Sequence, residues 1–424
     1  MLNTVLKHVF AGLVSHGSLT VITASGSRLV FGDGSGASVA VRFADRGAQL
    51  AFLLDPDLRL GELFMEGRFV VEQGSLYDFF ELVLREHAGE PDSFWVGALD
   101  RVRFHLRRLT SFIGRAAARA NVAHHYDLDR RLYDLFLDED LQYSCAYFDA
   151  PDRSLDAAQL AKKRHIAAKL CIRPGDGILD IGCGWGGLAL YFAQIAGAGK
   201  VTGITLSEEQ HAIACQRASS AKLTDRVKFA LADYRDVVGT FDRIVSVGMF
   251  EHVGRAGYRT FYRKCHDLLA PDGVLLVHTI GQSDGPNIPS PWLTKYIFPG
   301  GYLPALSEML PAIERAGLIV SDIEVLRLHY ASTLRCWRER FMARRSEAVT
   351  LYDERFCRMW EFYLASCEAA FHYQNVAVFQ VQLVRRQDAV PLTRDYMTVR
   401  ETELRRAEAR HGDERAPQSA SAAP

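Results

Sequence analysis

No stretch of the 424-residue chain reaches the roughly 20 apolar residues that a bilayer-spanning helix needs, so no transmembrane segment is expected. The opening MLNTVLKHVFAGLVSHG has too short an apolar core for a secretory signal. Cysteine is sparse and scattered: the eight residues at 145, 171, 183, 215, 265, 336, 357 and 367 form no CxxC pair, and none falls in the first 144 positions. That pattern argues against a disulfide framework or a zinc site, so no metal is expected, and it fits reduced thiols in the cytoplasm. Net charge is also nearly absent, with 50 Lys and Arg against 51 Asp and Glu, so no overall field recruits nucleic acid. What remains is a globular composition, 48% hydrophobic and 24% charged, long enough for two or three domains with sizeable cores.

Short alternating runs mark the first 95 or so residues. In SVAVRF (38–43), Val39, Val41 and Phe43 share one face, and GDGSG (32–36) punctuates the pattern, which predicts a small α+β domain. ALDRVRFHLRRLTSFIGRAAARAN (98–121) sets six arginines against Asp100, with apolar residues at helical intervals. It reads as a basic amphipathic helix, either solvated between domains or laid on a membrane surface, and a lipid substrate favours the second. From Gly177 to Thr279, apolar strands alternate with helices, which predicts a doubly wound, largely parallel sheet. VAVFQVQLV (376–384) offers a final strand, and the charged segment after 389 ends in APQSASAAP, expected to be disordered.

LDIGCGWGG (179–187) places Gly182, Gly184 and Gly186 at a strand-to-helix turn, where the backbone can approach a ligand closely. Asp180, just ahead of the turn, favours a cationic ligand over a diphosphate. GITLSEEQ (203–210) lacks the acid that would bind a ribose diol in a nicotinamide enzyme. Ser207 and Gln210 have capping-box spacing, so Gln210 serves the helix end, the ligand, or both. Asp233 can reach an adenine amino group or simply cap a turn. Glu251 in FEH (250–252) either faces the cleft or caps a loop, and His278 in LLVHTI would by itself be an ordinary core histidine. Cys145, between two tyrosines in LQYSCAYF (141–148), raises the question of a nucleophile.

Taken in order, HYDLDRRLYDLFLDEDLQYSCAYF (125–148), LDIGCGWGG, FDRIVSVGMFEHVG (241–254), LLVHTIG (275–281), KYIFPGGYLP (295–304) and HYASTLRCW (329–337) resemble the cyclopropane-fatty-acyl-phospholipid synthases and the related mycolic acid cyclopropane synthases. The resemblance covers about residues 120–387. It implies a class I S-adenosylmethionine-dependent methyltransferase fold, a Rossmann-like doubly wound α/β sheet preceded by a small α+β domain. The implied division is an accessory, lipid-contacting domain over 1–118, a catalytic domain over 119–388 and a charged, partly disordered tail over 389–424. The implied reaction adds a methylene group across a cis double bond of a phospholipid acyl chain, with bicarbonate as the base. By position, Tyr143, Ser144, Asp180, Gly182, Gly184, Gly186, Thr205, Leu206, Gln210, Asp233 and Tyr234 form the cofactor shell. Cys145, Glu251, His278, Ile280 and Tyr330 form the bicarbonate site, with Cys367 packed nearby. A membrane phospholipid substrate, peripheral contact with the inner face of the cell membrane and a homodimer are also implied.

The sulfonium methyl of S-adenosylmethionine is strongly electrophilic, so its transfer to an alkene needs alignment and a dry site, not a thiolate. Cys145 is therefore expected to be neutral, with Glu251 itself the alternative base. Trp292, Tyr296, Phe298, Tyr302 and Trp360 are candidates to face a carbocation, though each is more readily explained as core. Two rival readings are an enzyme of the same fold that stops at methyl transfer and a non-catalytic lipid-binding protein. The glycine turn together with a full base set favours ring closure over both.

Overall fold

Four strands, β1 (Ser18–Ile22), β2 (Arg28–Phe31), β3 (Ser38–Phe43) and β4 (Phe69–Gln73), form the first sheet in the order β2-β1-β3-β4. The computed structural model describes residues 2–87 and 129–419, with side chains as far as 411. The basic helix expected over 98–121 lies outside the described residues. In β3 the buried positions are Val39, Val41 and Phe43, because a period of two sends alternate side chains to one face.

The second sheet holds β5 (Gly177–Ile181), β6 (Lys200–Thr205), β7 (Val227–Leu231), β8 (Phe241–Val247), β9 (Leu269–Gln282), β10 (Ile319–Val325) and β11 (Val376–Val384). Their order is β10-β11-β9-β8-β5-β6-β7. β5 to β9 pair in parallel, while β11 runs antiparallel to both β9 and β10. β11 is buried along its whole length, as a continuous apolar run between two neighbours requires. β10, IVSDIEV, was not anticipated, because an edge strand with polar residues carries no comparable run. Since β5 bonds to β6 on one side and β8 on the other, the winding direction reverses there and a crevice opens at the strands' carboxyl ends.

The two sheets share a core through the helix Glu354–Tyr373. Phe362 on this helix meets Phe64, Phe80 and Trp292 at ring-centroid distances of 6.1, 5.3 and 4.5 Å. Beside them, Glu62 accepts from Lys295 Nζ at 2.6 Å and from the Tyr296 hydroxyl at 2.9 Å.

The charged segment expected as a partly disordered tail is helical over Asp395–Ser419. Its polar composition gave no sign of docking, because the partners it serves are themselves polar side chains. Arg164 and His165 are buried in the helix Leu155–Lys169, and the C-terminal helix brings Glu408 to Arg164 at 2.8 Å and Glu401 to His165 at 2.6 Å. The Tyr191 hydroxyl adds a 2.6 Å bond to Glu408. Met397 and Leu404 of this helix are buried as well, so it docks through apolar contacts together with these ion pairs.

Gly61 sits mid-helix in Pro56–Met65, where a Cβ would overlap the Trp292 indole. In an exposed helix, Gly→Ala would stabilise by about 1 kcal/mol. Here Gly61→Ala is expected to destabilise by about 1–3 kcal/mol through overpacking. Urea denaturation checks this, and an unchanged or raised midpoint would contradict the contact.

Candidate active site

Gly182, Gly184 and Gly186 all have positive φ, at 85°, 53° and 83°. They turn the chain from β5 into the helix Gly187–Gln194. A Cβ on Gly184 would meet nothing within 4 Å, so this glycine opens onto a cleft. A Cβ on Gly186 would strike the Phe229 ring at 2.6 Å, so that glycine serves packing and lies behind the cleft wall. The cleft has a volume of about 1220 Å³ including its open mouth, and five segments converge on it: 141–144, 180–188, 204–210, 232–235 and 247–253. Tyr143, Ser144, Asp180, Gly182, Gly184, Thr205, Leu206, Gln210, Asp233 and Tyr234 all lie on its lining.

Asp180 is buried, and its Oδ2 has no hydrogen-bond partner. Burial pushes its pKa up to about 7, with the nearby Lys162 charge pulling the other way. A buried carboxylate oxygen without a donor suits a cationic ligand, and S-adenosylmethionine carries a sulfonium and an ammonium. Ser207 caps its helix by accepting from the Gln210 N–H at 3.2 Å, while the Gln210 side-chain oxygen accepts from the Thr205 hydroxyl at 2.9 Å. Asp233 is held by Arg235 in a fork at 2.5 and 2.8 Å and also accepts the Arg235 backbone N–H. Arg235 also lines the cleft.

Of the residues expected at the base site, Glu251 lies just past the end of β8, His278 and Ile280 lie on β9 and Tyr330 on the helix His329–Ala343, and none of these lines the cleft. Gly248 N–H donates to the His278 carbonyl at 2.9 Å, and beyond that point β9 has lost its β8 neighbour while β11 still pairs with it on the other side. The Ile280 N–H would be left without a backbone acceptor, and Glu251 Oε1 accepts it at 2.6 Å. Glu251 sits in the single turn Phe250–His252, and its Oε2 is buried with no partner. Burial pushes the Glu251 carboxyl up to about 7. The His278 ring is buried on β9, with Nδ1 3.1 Å from Gln380 Nε2. Burial holds His278 well below its ordinary pKa, so it is neutral.

Cys145 and Tyr330 are buried in one core, with Ile280 and Cys367 packed against it. The Cys145 Sγ donates to the Ala146 carbonyl at 3.3 Å, and burial holds the thiol well above its ordinary range. A protonated, desolvated thiol is not a nucleophile. The Cys367 thiol is likewise pushed up to about 12. Tyr330 packs against Phe371 and Trp337, with ring centroids 4.8 and 5.8 Å apart.

Of the five aromatic candidates, Trp292 and Tyr296 join the two sheets, Trp360 packs among Phe136, Tyr133 and Tyr363, and Phe298 lies 5.6 Å from Tyr363. Tyr302 donates its N–H to the Glu251 carbonyl and its hydroxyl to Glu308. Among the described residues, none of the five lines the cleft. Sequence reasoning missed Trp185 and Met249 on the cleft wall and Lys162 behind it. Trp185 lay inside the glycine motif, but Lys162 gave no signal, because a lysine on a charged helix looks solvent-facing.

Two outcomes follow from this geometry. Asp180→Asn is expected to weaken S-adenosylmethionine binding by about tenfold or more, measured by calorimetry, because the buried countercharge is lost. Cys145→Ser is expected to fold and keep measurable turnover, and complete loss with the fold intact would restore a nucleophilic role.

Residues 114–381 match the family described as mycolic acid cyclopropane synthetase. The chain is 39% identical over 333 residues to the cyclopropane-fatty-acyl-phospholipid synthase of Escherichia coli strain K12, covering 78% of this chain and 84% of that one. It is 42% identical over 271 residues to a probable fatty acid methyltransferase of Pseudomonas putida, covering 62% and 68%. The crystal structure of mycolic acid cyclopropane synthase CmaA1 complexed with SAH and CTAB superposes with a TM-score of 0.59 at 33% identity, covering 62% of this chain and 97% of that one. By sequence, fold and the cleft at the switch point, the chain belongs to the mycolic acid cyclopropane synthetase family.

Proposed function

We propose that the protein transfers a methylene group from S-adenosylmethionine to the cis double bond of an unsaturated acyl chain in a phospholipid, closing a cyclopropane ring. The observation that carries this reading is the buried, partnerless Glu251 Oε2 past the end of β8, next to a cleft that suits a sulfonium ligand. S-adenosylmethionine, when bound, supplies an electrophilic methyl group.

The chain supplies the surroundings. Asp180 offers the countercharge, and the bare backbone of Gly184 allows close approach. Tyr133 packs edge-on against Trp185 at 5.0 Å and Tyr143 at 5.4 Å, beside the Tyr143–Trp337 contact at 5.1 Å. These rings exclude water, which would otherwise capture a carbocation, and their faces stabilise positive charge without offering a lone pair. Ring closure then needs a proton removed from the newly added methyl. Glu251, Cys145 through its main chain, His278, Ile280 and Tyr330 would hold a bicarbonate ion, which would supply a compact base. Glu251 acting alone is the second mechanism, favoured by Ile280 N–H already being committed to Glu251 Oε1.

A phospholipid substrate supports peripheral contact with the inner face of the cell membrane, and the family resemblance supports a homodimer. Among the described residues, no helix is long and apolar enough to cross a membrane. Methyl transfer without ring closure is the rival activity, and the name of the Pseudomonas relative favours it.

Incubation with unsaturated phospholipid vesicles and S-adenosylmethionine is expected to add the mass of one CH2 per modified chain and to give cyclopropane ring-proton signals by NMR. A branched methyl product, or no incorporation, would contradict the proposal. In carbon dioxide-depleted buffer, turnover is expected to fall and to return on adding bicarbonate, and undiminished turnover would leave Glu251 as the base. Glu251→Gln should reduce turnover by about 10²–10⁴ while cofactor binding stays within about twofold. The Glu251 pKa in the folded chain lies above its ordinary 4.5, so the folded state holds the proton more tightly, and ionising it lowers stability as pH rises from 4.5 through about 7. Glu251→Gln is therefore expected to melt no lower than the parent chain at pH about 8.

A further inference from the structure

Lys162 has no exposed surface, yet it carries an ammonium group. Its Nζ donates to Ser144 Oγ at 2.7 Å and to Gln142 Oε1 at 2.6 Å. Among the described residues it forms no ion pair, and its neighbour Lys163 takes Asp140 instead, at 2.6 Å. A buried cation satisfied only by neutral oxygens is unfavourable on its own, and the mechanism above makes no use of it.

An ammonium only donates, so both oxygens must accept, and that fixes the direction of every bond beyond them. Gln142 turns its Nε2 to Asp140 Oδ2 at 2.9 Å. The Ser144 carbonyl is occupied by Gln159 Nε2 at 3.0 Å. The Ser144 hydroxyl, having accepted from Lys162, has its own proton left to donate, and Ser144 lies on the cleft wall. On the same wall stands Asp180, whose charge senses that of Lys162. The cleft thus offers an unpartnered anionic oxygen from Asp180 and a hydroxyl donor backed by a buried cation. This pair of opposite charges is the complement of a zwitterion.

We propose that Lys162 is a positioning residue that orients the Ser144 hydroxyl toward the α-carboxylate of S-adenosylmethionine and supplies the countercharge behind it, while Asp180 faces the cationic end of the same ligand. The inference rests on S-adenosylmethionine being the cofactor. It excludes the simpler role in which Lys162 only ties segment 141–144 to the helix Leu155–Lys169.

The test is calorimetric binding of S-adenosylmethionine and of decarboxylated S-adenosylmethionine, without turnover, to the full chain and its Lys162→Met and Ser144→Ala variants. The parent chain should prefer the carboxylated ligand by more than about tenfold, the worth of one charge-assisted hydrogen bond. In each variant the preference should shrink to about threefold or less, with affinity for the decarboxylated ligand retained or improved. Equal loss for both ligands would mean a structural role, and an unchanged preference would remove Lys162 from recognition; either overturns the proposal. If Lys162→Met does not fold, Ser144→Ala decides by the same criterion. Failure of the parent chain to bind S-adenosylmethionine would instead refute the cofactor reading, and this inference with it.

Discussion

Taking a charged group out of water costs several kcal/mol unless the protein replaces the lost hydration, and four ionisable side chains beside the carboxyl ends of β5, β8 and β9 have been taken out of water. Asp180 and Glu251 are pushed up to about 7, Lys162 is brought down to about 8, and His278 is held neutral. Buried polar atoms are normally satisfied, yet Asp180 Oδ2 and Glu251 Oε2 have no partner. Asp180 lines the switch-point cleft, and Glu251 precedes His252, which also lines it; such groups are candidate ligand contacts. The same dryness suits a carbocation, which water would quench.

The scaffold keeps these groups in place from both sides. The end of β8 leaves the Ile280 N–H for Glu251, so the placement of the Glu251 carboxyl is a product of strand length. The helix Leu155–Lys169 carries Lys162 toward the cleft and Arg164 and His165 toward the C-terminal helix. Its cofactor face and its tail-binding face are therefore set by one rigid element. On the far side, Trp292 and Phe362 join the first sheet to the aromatic core that also holds Tyr330 and Cys145.

Much of this was legible in the sequence where one physical rule acted alone. Strands buried on both faces read as apolar runs, so β5, β6, β8, β9 and β11 were visible, and the glycines at 182, 184 and 186 marked the turn. The helical order after 389 was invisible, because Glu401 and Glu408 meet His165 and Arg164, partners more than 200 positions earlier in the chain. Lys162 was hidden for the same reason: local polarity points a lysine at solvent, and only the tertiary arrangement shows it under Ser144. Gly186 read as a ligand-facing glycine, yet the Phe229 ring across from it assigns it to packing. The motif carried the residues of the site together, while the division of labour among them needed three dimensions.

The central claim is that a proton leaves the transferred methyl itself, at the Glu251 site, to close a ring. S-adenosylmethionine bearing a fully deuterated methyl group tests it directly when supplied with unsaturated phospholipid vesicles. The account predicts a product that retains two of the three deuterons, both in a cyclopropane methylene. A product that keeps all three deuterons in a branched methyl group would contradict it.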